Sequence, residues 1–314
     1  MTITLAGRRF EVVVAPERGA DIVQVTDLQT GTPLLAVSPT GLVATPPSGA
    51  GSMAEWLAGY PGGWQLLVPN AGPERTHGGV TQGFHGEAAL ARWNVIAQSA
   101  ASCDLETWLA TAPLHLHRTV TADAEGLTVT DRIRNLSPQT VHARVMQHPA
   151  FGAPFLDADA FLEVPAATVI ADGEAPGSLA AHGHVGTPAE VLGAHVGDRG
   201  ISLPGPGARE SVFAAFTDFA RPEATFHSPN RGFGVRLSWD AATYPHAWFW
   251  IEANAGSGWP WFRRLYAVAV EPSNVLPGEG QTSRGDSRGG PGVALDPDHP
   301  LITTTRLSRV TASS

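Results

Sequence analysis

The sequence predicts an all-β protein, a large antiparallel β-sandwich built as a single domain over residues 1–314, and three observations predict it. Short stretches with period-two alternation or β-branched content recur along the chain, each closed by Gly, Pro, Asn or Asp. Helical periodicity is nearly absent. The 35 glycines and 26 prolines are scattered, with no Gly-X-Y period and no low-complexity block, which marks many turns.

In chain order the predicted strands include Phe10–Val14, Asp21–Thr26, Leu114–Val120, Leu127–Ile133, Val141–Met146, Gly234–Trp239, Trp248–Ala253 and Leu265–Val270. Met53–Leu57 suits one helical turn and Ala189–Val196 two, both too short for the crossovers of a parallel sheet. Pro and Gly clusters at Pro46–Gly51, Pro204–Gly207 and Gly278–Gly292 read as loops within one unit. The last is polar and long, a surface loop ahead of a closing strand at Leu301–Leu307. No linker or internal repeat divides the chain, and all-β folds of this length often run as one domain.

A formal net charge of -9 with no basic run argues against a nucleic-acid partner and for a neutral or small one. Nine tryptophans and twelve phenylalanines against three tyrosines supply flat apolar faces, which stack on the C–H faces of sugars as readily as they fill a core. One cysteine, Cys103, excludes an intrachain disulfide. Met1–Leu5 lacks the charged and apolar regions of a secretory signal, so a cytoplasmic protein is expected. No run approaches the roughly 18 apolar residues of a membrane span.

Three places set a hydrogen-bonding or titratable group beside Gly or Pro at a predicted strand end, where clefts form. They are Gly63-Trp64-Gln65 through Pro69-Asn70 with Gly83-Phe84-His85-Gly86-Glu87 and Trp93, then Gln147-His148-Pro149, then Val270-Glu271-Pro272. Around Glu271 the alternation turns Tyr266, Val268 and Val270 one way and Ala267, Ala269 and Glu271 the other. A carboxylate that shares its face with two small side chains leaves room for a ligand. The structural alternative is a solvent-end Glu271 paired with Arg263 or Arg264. His148 closes a strand on the face of His142, Arg144 and Met146, with Pro149 fixing the chain direction, and reads also as a satisfied structural histidine. His85 has the same two readings, with nearby glycines that let a substrate approach the backbone. His115 and His117 form an HxH pair without a third ligand, so no metal site is expected. Gly205-Pro206-Gly207 lacks the dinucleotide pattern, and Cys103 has no evident base partner.

Taken in order, these motifs resemble the aldose 1-epimerase (galactose mutarotase-like) superfamily over most of the chain. In that family one His stands in an HG-containing motif ahead of a Trp, a second opens a His-Pro-x-Phe motif near mid-chain, and a late Glu-Pro supplies the catalytic carboxylate. His85, His148 (in His148-Pro149-Ala150-Phe151) and Glu271 match those places. Thr76-His77-Gly78-Gly79 also resembles the His-Gly-Gly of the galactose enzymes, which keeps His77 as a candidate ligand contact. One departure concerns the sugar-binding Asp that the galactose enzymes carry between the second His and the Glu. Asp218 falls in that interval, but its Phe-Thr-Asp-Phe context does not match.

The resemblance implies the family's supersandwich fold and a cofactor-free interconversion of aldose anomers. Glu271 would take the proton from the C1 hydroxyl, His148 would protonate the ring oxygen from the opposite side of the pyranose, and His85 would be a second donor to that oxygen. Ionised Glu271 and protonated His148 would support each other's charge. Asn70, Gln65 and Arg92 are candidate hydroxyl binders, and Trp64, Trp259 or Trp261 candidate stacking faces, with a core role as the alternative for each Trp. Two other functions stay open: a non-catalytic sugar-binding domain, and an epimerase or lyase acting on an acidic sugar held by Arg263 or Arg264. The sequence does not set the oligomeric state.

Overall fold

The alternating segments pair into two large antiparallel sheets. The computed structural model describes residues 2–39 and 51–311. An 11-stranded sheet runs in the order Ile3–Ala6, Phe10–Ala15, Asp21–Asp27, Trp64–Leu67, Met146–Phe151, Tyr266–Ser273, His246–Ala253, Glu210–Phe219, Ala166–Ala171, Val185–Gly186, with Thr32–Pro33 beside the third strand. A 10-stranded sheet runs Val196–Gly197, Gly200–Ser202, Phe161–Glu163, Glu223–Ser228, Phe233–Trp239, Leu301–Thr311, Gly126–Asn135, Leu114–Ala122, Ser102–Trp108, Asn94–Gln98. No helix among the described residues is long and apolar enough to cross a membrane.

Alternation decides which face each strand buries. Leu114–Ala122 buries every second residue, and its Leu114, Leu116 and Val120 meet Phe10, Val12, Val268 and Val270 in the core between the sheets. A second apolar cluster covers the other face of the 11-stranded sheet and includes Leu67, Met146, Ala150, Trp248, Ala267 and Ala269 together with Trp56 and Tyr60. Trp56 belongs to the helix Ser52–Gly59, longer than the single turn expected at Met53–Leu57, and Tyr60 is its C-cap. At i and i+4 the two rings share one helix face and stack at 4.9 Å.

Several expectations need correction. Val141–Met146 is not one strand: Val141–Ala143 pairs with Val293–Leu295, whereas Met146–Phe151 pairs with Trp64–Leu67 and Tyr266–Ser273. The break falls at Arg144 and Val145, whose amides bind Pro69 O and Asn274 Oδ1 instead of a ladder. His148 and Glu271 therefore sit inside strands rather than at their ends. The Gly278–Gly292 loop is tied down, because Arg288 is buried and donates to Pro277 O and Ala171 O, while Arg144 and Arg75 both donate to Gly290 O. Ala189–Val196 forms a short helix, Pro188–Leu192, and a 3-10 turn. The Pro46–Gly51 cluster, except Gly51, lies outside the described residues.

Candidate active site

Four adjacent strands place one polar row across the outer face of the 11-stranded sheet. Ile22 pairs with Trp64, which sets Asp21 beside Gln65; Gln65 pairs with His148; and Glu271 stands next to His148 on the following strand, opposite Trp248. Neighbours in such a row lie within side-chain reach. His148 Nε2 is 3.4 Å from Glu271 Oε1, and both side chains are more than nine-tenths buried. Burial pushes the Glu271 carboxyl well above the usual carboxylate range and lowers His148 to about 4. Both shifts disfavour charge, so near neutral pH the pair's one titratable proton rests on Glu271 and His148 is neutral. Adjacent strands bring the two into direct contact, where the sequence reading set them on opposite sides of a pyranose. The solvent-end alternative for Glu271 is overturned.

His85 approaches from the loop over this row. Its backbone is in the left-handed region at φ 60, followed by Gly86 at φ 72, where a Cβ would meet Val68 O at 2.5 Å. The turn is held by His85 N–H donating to Gly72 O and by Gly72 N–H donating to His85 Nδ1 at 3.0 Å. An Nδ1 that accepts leaves the proton on Nε2. Burial, reinforced by nearby His148, holds the His85 pKa well below its ordinary value. His85 is thus a neutral Nε2–H donor, its ring 5.8 Å from that of His148.

Trp56 and Tyr60 roof the site. The Trp56 ring lies 4.5 Å from His85, and the Tyr60 ring 5.7 Å from both His148 and Trp261. Trp56 Nε1, Tyr60 OH and His148 Nδ1 are buried without hydrogen-bond partners among the described residues, and each such orphan costs about 1–3 kcal/mol. The three are concentrated at a single spot.

A family model described as a domain of unknown function (DUF4432) matches residues 1–293. The chain belongs to this family. Comparison with curated proteins yields no match. Among solved structures, the DUF4432 chain is similar to the Slr1438 protein of a Synechocystis species, at 18% identity and TM-score 0.71, covering 99% of this chain and 96% of that one. A protein from Escherichia coli assigned provisionally as an aldose 1-epimerase gives 18% identity and TM-score 0.69, covering 99% of both chains. A galactose mutarotase-like protein from Lactobacillus casei gives 17% and 0.69, covering 98% of this chain and 100% of that one. At these identities the likeness is one of fold, and the fold is the galactose mutarotase-like sandwich.

Of the residues singled out in the DUF4432 sequence, His85, His148, Glu271 and Gln65 come together. Asn70 lies beside them with its amide spent on Pro73 O and Gly83 O, which pins the His85 loop. Glu87 accepts the amides of Ala110 and Thr111. His77 is on the small hairpin of Arg75–His77 and Val80–Gln82, its ring 6.4 Å from His142. Trp64 offers no stacking face, because it is fully buried between the sheets with Nε1 donating to Gln147 Oε1 at 2.8 Å. Arg92 is an exposed partner of Glu17. Trp259 and Arg264 are exposed, and exposed Arg263 donates to Ala255 O. Asp218 is engaged by Thr168 and Arg284. His115 bonds Glu106 on the neighbouring strand. Sequence reasoning missed Trp56, Tyr60 and Asp21; the i, i+4 aromatic pair that starts on the Met53–Leu57 turn and ends just past it was the signal available for the first two.

Proposed function

We propose that this protein is an aldose 1-epimerase-type enzyme, opening and reclosing the hemiacetal ring of an aldose by proton transfer. The observation that carries the reading is the side-by-side His148 and Glu271, 3.4 Å apart and buried, with the neutral His85 donor beside them. Ring opening takes a proton from the C1 hydroxyl and delivers one to the ring oxygen. Those two oxygens are bonded to the same carbon, so an acid and a base on one edge of the ring serve them better than groups on opposite faces.

Within the one-proton pair the proton passes from Glu271 to His148 when the sugar binds; the Glu271 carboxylate then accepts the hydroxyl proton while His148 donates to the ring oxygen, and His85 Nε2–H supports the same oxygen by hydrogen bonding. The aldehyde then rotates about its C1–C2 bond and recloses, with the two proton transfers reversed. The proton count of the pair is unchanged over a cycle, which suits a reaction without net proton uptake. A sugar seated at the row brings hydroxyl partners for the orphan atoms. Sugar binding without turnover is the second reading, favoured by the engagement of Asp218 with Thr168 and Arg284. Exchange NMR on anomeric protons of an aldose panel separates the two: line broadening or cross-peaks between α and β signals at catalytic protein concentration supports the enzyme, and binding without exchange supports the alternative.

A further inference from the structure

The polar row does not stop at Gln65. Asp21 is fully buried, and among the described residues its one hydrogen-bonded side chain is Gln65, whose Nε2 donates to Asp21 Oδ2 at 2.9 Å. Arg18 and Arg118 are both near enough to bear on its charge, yet neither makes an ion pair with it among the described residues. Burial raises the Asp21 carboxyl to about 7. Local backbone has been shaped around this group, since a Cβ at Gly19 would collide with Asp21 Oδ1. The Ser52–Gly59 helix ends against Arg18: a Cβ at Gly59 would stand 2.6 Å from Arg18 Nη2.

Ten buried side-chain polar atoms lack partners among the described residues, and six of them gather along this row and its roof: Arg18 Nε, Asp21 Oδ1, Gln65 Oε1, His148 Nδ1, Tyr60 OH and Trp56 Nε1. The Tyr60 hydroxyl is within electrostatic reach of both Glu271 and Asp21. Stability alone is poorly served by a buried carboxyl with one amide partner and a guanidinium held short of contact. Hydroxyl groups satisfy such a set, because they donate to Asp21 Oδ1 and Gln65 Oε1 and accept from Arg18.

We propose that Asp21, through its row with Gln65, is a specificity-determining residue of the site and binds hydroxyl groups of a polyhydroxylated ligand at the end remote from the anomeric carbon. This rests on the sugar-site reading above. With neighbouring strands ~4.8 Å apart, the row from Glu271 to Asp21 spans about 14 Å. Glu271 and His148 address the reacting end, and Asp21 addresses what lies beyond it. No catalytic step passes through Asp21.

The test is calorimetric titration of wild type, Asp21→Asn and Glu271→Gln with glucose, galactose, their alditols and the reducing disaccharides lactose and maltose, run beside polarimetry and thermal melting. The proposal expects at least one probe to bind wild type and Glu271→Gln, and Asp21→Asn to bind it about tenfold or more weakly, the loss of a charged hydrogen-bond acceptor. It expects KM to rise with kcat little changed. It also expects Asp21→Asn to melt at or above the wild-type temperature, a result a structural role would not give. Asp21→Ser replaces it should the first variant not fold. Unchanged affinity in the Asp21 variants, or no binding of any probe to wild type, overturns the proposal. Binding that depends on Asp21 without accelerated mutarotation upholds it while refuting the epimerase reading.

Discussion

Gln147 and His148 are neighbours in sequence and face opposite sides of one strand. Gln147 Nε2 donates to Asp131 Oδ2 at 2.7 Å between the sheets, while His148 meets Glu271 on the outer face. Behind the site, Arg118 Nε donates to Asp131 Oδ1 at 2.7 Å and its Nη2 to Gln147 Oε1 at 3.1 Å, so a buried ion pair from the opposite sheet anchors the histidine strand.

That anchor should be costly to break. Asp131→Ala removes the carboxylate that Arg118 contacts, leaving only the more distant Asp21 to bear on its charge, and is expected to lose about 3–5 kcal/mol of stability. Denaturant unfolding measures it. A loss below about 1 kcal/mol would mean that the network contributes little to holding the strand.

Asp21 should tie stability to pH in a direction opposite to that of a salt-bridged carboxylate. Its pKa is raised on folding, from 3.8 to about 7. Between those values the unfolded chain has released the proton and the folded chain retains it, so this group's contribution falls as pH rises through the window and is flat above it. Asp21→Asn removes the slope. Its stability relative to wild type should grow from pH 4 to pH 7, by at most about 4 kcal/mol, as read from urea melts at several pH values. His148 works the other way. Its pKa falls from 6.5 to about 4, so its contribution improves with rising pH across that interval.

Tyr60→Phe keeps the ring over His148 and deletes the orphan hydroxyl, and should leave stability within about 1 kcal/mol of wild type or raise it. Trp56→Ala empties a well-packed position in the second apolar cluster and should cost about 3–5 kcal/mol. Thermal and urea unfolding of the two variants side by side checks the contrast, and equal losses would contradict it.

The rate should be bell-shaped in pH. Activity requires a single proton on the His148–Glu271 pair. The acidic limb falls where a second proton adds, at about 4 as burial sets it for His148. The alkaline limb falls where the shared proton leaves, above the ordinary carboxylate range. Both limbs belong to the pair, and a profile flat from pH 3 to 10 would exclude it from the rate-limiting step.

Much of this was legible in the residues. Tyr266 through Glu271 alternate as read: Val268 and Val270 fill the inter-sheet core, and Ala267 and Ala269 join the outer cluster. Strand ends were less legible, since Pro149 and Pro272 looked like stops and instead continue their strands into Phe151 and Ser273. Each proline removes one ladder donor from a strand paired on both sides, and the pairing runs on past it, with Pro149 opposite Trp64 and Pro272 opposite Ala247. Cross-strand neighbours could not be read at all. That Asp21 would stand two strands from His148 depends on which strands pair, and period-two patterns fix a face without fixing a partner. Trp64 shows the same limit in reverse: its motif suggested a sugar-stacking face, and its register turned it inward.

The central claim is that His148 and Glu271 move protons at one edge of an aldose. Polarimetry of freshly dissolved α-glucose, α-galactose and a small panel of other aldoses, with wild type set against Glu271→Gln, tests it most directly. The account predicts faster approach to rotational equilibrium for at least one sugar, with the acceleration lost by about a hundredfold or more in the variant. Equal rates for wild type and Glu271→Gln, or no acceleration over buffer with any sugar of the panel, would contradict it.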